Sequence, residues 1–138
     1  MKLFDGAVAT SDIPNGNNRV FPKKVLESLV KNSQERIAQG TELGMFGMPT
    51  SSALPLSEVS HRVTQLEMIG DNLVCEIEVI DTLPGGKILL ELAEKGEKLA
   101  IRLAGIGNLS EPDEHGIQIV QDDYKLISLN VVKNSDAA

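Results

Sequence analysis

Two histidines, one cysteine and two glycine-rich stretches are the places where this 138-residue chain could do chemistry. His61 lies in "EVSHRV" beside Ser60, the residue types of a nucleophile and its general base. The surrounding pattern is that of a strand, in which neighbouring residues face opposite ways. That alternation sets the Ser60 hydroxyl away from the His61 ring, so His61 reads as a partly buried strand histidine with a satisfied hydrogen bond. His115 falls in the acidic stretch "NLSEPDEHG" and is expected in solvent. The two histidines are far apart and His61 has no acidic residue at ligand spacing, so no metal site is expected. Cys75 alternates with Leu73 and Ile77 and is expected to be a buried, inert thiol. "LPGGK" lacks the spacing of a phosphate loop and "AGIGN" lacks the last glycine of the dinucleotide fingerprint. Both read as turns, and no cofactor is expected.

A different oddity lies in residues 98–107, "KLAIRLAGIG". Leu99, Ile101 and Leu103 form one apolar face of a strand, while Arg102 shares the other face with Ala100 and Ala104. A guanidinium is permanently charged. It belongs at a barrel edge, with its stem on the alanines and its head in water.

These residues must be held by elements legible along the chain. Residues 2–10 read as a strand and 11–18, "SDIPNGNN", as turns. A helix is predicted from Pro22 to Gly40, with Val25, Leu26, Leu29, Val30 and Ile37 as its apolar stripe. Residues 41–57 read as a loop. Strands at 59–68 and 73–80 are joined by the hairpin turn "GDN". "TLPGG" (82–86) breaks the chain before a short helix to about residue 95 that turns Ile88, Leu89 and Leu92 inward and stops at Gly96. Further strands follow at 98–107, 117–120 and 124–132. The sum is an α+β domain, a small, mostly antiparallel β-barrel with two main helices packed outside it. One domain is expected over residues 1–138.

Composition sets further bounds. The chain is 41% hydrophobic and 24% charged, enough for a packed core and unlike a disordered chain. A net charge of −7 argues against a nucleic-acid partner held through phosphates, and aromatics for stacking bases are scarce. One cysteine permits no internal disulfide. No apolar run approaches the roughly 20 residues of a membrane span, and the start lacks a signal-peptide core. No membrane partner is expected.

The order of segments carries a resemblance. "NNRVFPKKVLESLV" resembles the "NgRiYP" opening of the prohead core proteases of tailed phages, and "GMFGMP" (44–49) sits where that family has "GELGHP". The block from "VSHRV" through "TLPGGK" to "IRLAGIGN" is similar to its "vsH", "TP.Gk" and "SsRG" order. "VQDDYKLISLNVV" resembles its closing strand. The resemblance implies the assemblin fold, a small barrel wrapped by helices, and a serine protease that digests scaffold and trims capsid protein. It carries the general base onto His61 and the nucleophile position onto Arg102. The family's arginine, which helps form the oxyanion site, falls at Ala104. Its histidine in "GELGHP" becomes Met48, and an aspartate of the last strand becomes Asn130.

A guanidinium cannot attack a carbonyl, and loss of a nucleophile from a triad removes on the order of a millionfold in turnover. On this alignment His61, Arg102, Ala104, Met48 and Asn130 are vestigial positions. The chain is expected not to be an enzyme but an inactive homologue, reused as a capsid-associated decoration or cement protein of the virion. Arg102 would fill the emptied slot and pair with a carboxylate, Glu76, Glu78 or one on a partner. Its partners would be the major capsid protein or other head proteins, or a second copy of itself. It would reside in the virion after assembly in the host cytoplasm. The alternative is an active maturation serine protease with a divergent nucleophile, or a partner of a genuine protease.

Overall fold

The computed structural model describes residues 2–51 and 53–133. Eight strands and two helices run in the order β1 (Lys2–Thr10), β2 (Arg19–Val20), α1 (Lys23–Gln39), β3 (Leu43–Met45), β4 (Val59–Ile69), β5 (Asn72–Val79), α2 (Pro84–Glu94), β6 (Leu99–Ile106), β7 (Gln118–Ile119) and β8 (Lys125–Lys133). Four strands form an antiparallel sheet in the order β1-β5-β4-β3, and β6 pairs antiparallel with β8. The two sheets meet where Phe46 bridges Val131 in parallel and the Gly47 N–H donates to the Val131 carbonyl at 2.8 Å. At the other margin β1 lies beside β6. The result is a curled, mostly antiparallel half-barrel with two helices, the expected α+β class. A parallel pair, β2 with β7, is added outside it.

The elements follow from their residues. α1 begins after Pro22, whose fixed φ suits a helix entry, and ends at Gly40, which takes the left-handed φ of 73°. Its Val25, Leu26 and Leu29 are buried, with Val30 and Ile37 packed at the margin. Gly70, at φ 61°, turns the β4–β5 hairpin. In β5, Leu73, Cys75, Ile77 and Val79 are all buried, as their alternation requires. They meet Leu26 and Leu29 of α1, Leu89 of α2, Val63 and Leu66 of β4, Ile101 of β6, and Leu129 and Val131 of β8. That cluster is almost wholly aliphatic.

Three expectations are corrected. Residues 41–57 contain β3, a short strand that pairs with β4. α2 begins at Pro84 and includes Gly85 and Gly86, which had read as a break. The glycines are there because the helix start lies against backbone: a Cβ on Gly86 would sit 1.8 Å from the Ile80 carbonyl oxygen, and one on Gly85 2.6 Å from that of Val59. That contact fixes the inner face of α2 on Gly86 and Leu89, and Ile88 turns outward at 54% exposure. Among the described residues no helix is long and apolar enough to cross a membrane.

Candidate functional site

His61 and Ser60 meet, contrary to strand alternation. Gly44 of β3 faces His61 of β4, but the next residue, Met45, faces Val59. Ser60 is therefore the extra residue of a β-bulge, which breaks the alternation. Val59, Ser60 and His61 are all buried. The Ser60 Oγ lies 2.7 Å from Nδ1 of His61, and Nε2 lies 2.8 Å from the Leu129 carbonyl oxygen. A carbonyl only accepts, so Nε2 carries the ring proton and donates it to Leu129. Nδ1 is then the acceptor, and the Ser60 hydroxyl donates to it. Burial pushes His61 down to about 4, with the hydrogen bond to Leu129 pulling weakly the other way. The ring is neutral and its tautomer is fixed.

Gly44 makes room for this arrangement. A Cβ there would lie 2.1 Å from the Leu129 oxygen and 2.3 Å from Nε2 of His61. The imidazole thus passes over β3 and ties β4 to β8. Nothing in the hydropathy pattern announces Gly44 or the Leu129 carbonyl as parts of the site. The visible signal was "GMFGMP", where Gly44 and Gly47 stand close together.

Of the other positions carried over by resemblance, Arg102, Ala104 and Asn130 lie on the β6–β8 ladder, and Met48 lies beside it. Leu129, which holds His61, pairs with Leu103, and its neighbour Asn130 pairs with Arg102. Asn130 is buried; its Oδ1 accepts from the Met45 N–H at 3.2 Å, and its Nδ2 lies 3.8 Å from the Met48 sulfur. Met48, Arg102 and Ala104 line a cleft of about 950 Å³ that runs between β1, β6 and residues 48–51, with Tyr124 in its wall. Burial pushes the Tyr124 hydroxyl up to about 12, so it stays protonated. His61 is enclosed and does not line the cleft. Arg102 is half-buried on the edge strand β6, as its place between two alanines suggested. Of the two carboxylates considered for it, Glu78 is engaged by Arg62 across the β4–β5 ladder. His115 is exposed in the acidic loop. Among the described residues no three His, Cys, Asp or Glu side chains are grouped to hold a metal ion.

A curled antiparallel sheet with two outer helices and a cleft over the edge strand defines the class of fold, an α+β half-barrel. The comparisons agree. The chain matches the family described as prohead core protein serine protease over residues 2–137, and it belongs to that family. It is 25% identical over 126 residues to the prohead core protein protease of enterobacteria phage T4, covering 89% of this chain and 58% of that protein. The chain thus spans under two thirds of the length of that relative. The solved capsid assembly protease of bacteriophage T4 shares its fold, with a TM-score of 0.86, 24% identity, and coverage of 95% of this chain and 81% of that one.

These findings overturn the expectation that the chain is not an enzyme: both its family and its fold are those of a serine protease. The expectation rested on the substitutions at 102 and 104. Separately, strand alternation had set Ser60 away from His61, and the bulge corrects that. The decoration role was built on inactivity and loses its footing with it.

Proposed function

We propose that this chain is a maturation serine protease of the phage head, working with a divergent nucleophile. The observation that carries the reading is His61. It is neutral, its tautomer is fixed by Leu129, and its Nδ1 lone pair is held against a serine hydroxyl, the geometry of a general base, although burial makes the enclosed ring a weaker base than a free imidazole. The setting is a chain whose family membership spans nearly its whole length. Its substrates are the scaffold and major capsid proteins of its own phage, met inside the assembling head; the cleft beside β6 receives them as extended peptide, and the enclosed His61 reaches them only after a local opening. Arg102 and Ala104 line that cleft two residues apart, on one face of the strand. A guanidinium at 102 can serve the developing oxyanion that the family's arginine serves from the position of Ala104.

Incubation of the purified chain with its phage's scaffold and capsid proteins tests the reading. Cleavage is expected with the wild type and lost in His61→Ala. Intact targets with the wild type would sink the proposal. Arg102→Ala is expected to lower kcat/KM by about 100- to 1,000-fold, since one charged donor is removed from the transition state.

A further inference from the structure

The ring nitrogens of His61 decide which hydroxyl it can serve. Nε2 is committed to the Leu129 carbonyl and carries the proton. The remaining lone pair, on Nδ1, points at one group only, the Ser60 Oγ at 2.7 Å. For any other serine to be activated, one of these two bonds must break first. Ser128, across the ladder from Ala104, is buried with no hydrogen-bond partner, so its hydroxyl is not on the His61 ring. Ser110 is spent on its own loop, accepting from the Ile119 N–H at 2.8 Å.

We infer that Ser60 is the nucleophile, a hydroxyl brought onto its neighbour's imidazole by the bulge in β4; the inference rests on the protease reading above. The arrangement supplies the three parts such catalysis needs: nucleophile, base, and a third group orienting the base, here a main-chain carbonyl rather than a carboxylate. Ser60 Oγ attacks the peptide carbonyl carbon while its proton passes to Nδ1. The C–N bond then breaks, and the leaving amine takes that proton from Nδ1. The acyl group remains as an ester on Ser60. Water attacks the ester carbon and gives a proton to Nδ1, the C–Oγ bond breaks, and Oγ recovers the proton. No other reactant is needed.

Both residues are fully enclosed, so the described form is the closed one, and acylation requires local opening. The opening lies where β3 meets β8, a contact made by the Phe46–Val131 bridge and the hydrogen bonds of the Gly47 N–H to Val131 and of the Met45 N–H to Asn130.

The test is covalent labelling of the full chain with a fluorophosphonate, which transfers phosphorus to an activated serine and releases fluoride. The label is located by peptide mass mapping, with and without urea below the unfolding transition. One adduct on Ser60 is expected, faster with urea. It is expected to fall by at least about 100-fold in Ser60→Ala and to persist in Ser128→Ala. Mapping on the wild type needs no variant to fold. An adduct on another serine, or cleavage of head proteins that persists in Ser60→Ala, would overturn this assignment and leave the protease reading standing. Neither adduct nor cleavage with the wild type would overturn both.

Discussion

Gly44 and His61 are a matched pair, and much of the site's stability turns on them. A methyl group at 44 has no place to go, since it would overlap both the Leu129 oxygen and the imidazole. Gly44→Ala is therefore expected to cost about 3 kcal/mol or more, read as a shift in urea midpoint. Gly40 is the control: it has a left-handed φ but nothing within 4 Å of a Cβ. Gly40→Ala is expected to cost only about 1–2 kcal/mol, the backbone penalty alone. His61 adds a pH dependence whose sign is fixed. Its pKa is about 4 in the fold against an ordinary 6.5. Between those values the unfolded chain binds more protons, so stability rises with pH. The contribution is complete above about pH 6.5 and is lost as pH falls toward 4, on the order of 3 kcal/mol. The urea midpoint of the wild type should drop between about pH 7 and about pH 4.5 by more than that of His61→Gln. Equal drops in the two would refute the assignment. At this scale the sequence spoke clearly for Cys75 and Arg102, whose strand phases are regular. It misled for Ser60, because one extra residue in a ladder reverses the side a residue faces and leaves no trace in the hydropathy pattern.

Elements were legible where local chemistry defined them. α1 carries its own start, stripe and stop, and the β4–β5 hairpin has a glycine turn between alternating strands. β3 was not legible, since three residues flanked by glycine and proline have no period to read. What fixes β3 is tertiary: it pairs with β4, and it is tethered to the end of α1 by Glu42, whose side chain is 5% exposed and accepts from Arg36 Nε at 2.7 Å. The second guanidinium contact, Nη2 to Oε1 at 3.3 Å, makes the pair bidentate, and Nη2 also reaches the buried Ser33 hydroxyl. Arg36 itself is partly in solvent, at 43% exposure, so screening limits the ion pair. Removing it still leaves a buried carboxylate unpaired. Arg36→Ala is expected to destabilise by about 1–3 kcal/mol, and Glu42→Gln on top of it to recover part of that loss. Additive losses in the double variant would show that the two side chains do not act together. α2 was misplaced for the opposite reason: its two glycines look like a break but are the close contact that seats the helix.

At the scale of the molecule, the order of segments gave the family resemblance before any single motif did. That is reasonable for a half-barrel whose strands are short and whose seams are distant in sequence. The closing seam between β3 and β8 could not be read, because it depends on one parallel bridge, the Gly47 backbone hydrogen bond, the Met45 N–H bond to the Asn130 side chain and the His61 ring. The sheet is thus unevenly secured. β4 and β5 pair along almost their full length with the aliphatic cluster beneath them, whereas β3 offers only three residues to β4 and is held to β8 by a few bonds around Asn130 and Val131. Regions with few ladder bonds open at a lower free energy than the core. Native-state hydrogen exchange should find the amides of Met45 and Gly47 opening well before those of β4 and β5, in a step that does not expose the whole chain. That opening uncovers the Ser60–His61 pair, so labelling at Ser60 should follow the same denaturant dependence as exchange at Gly47. If Gly47 exchanges only with global unfolding, the pair has no local route to substrate, and a nucleophile at Ser60 is ruled out.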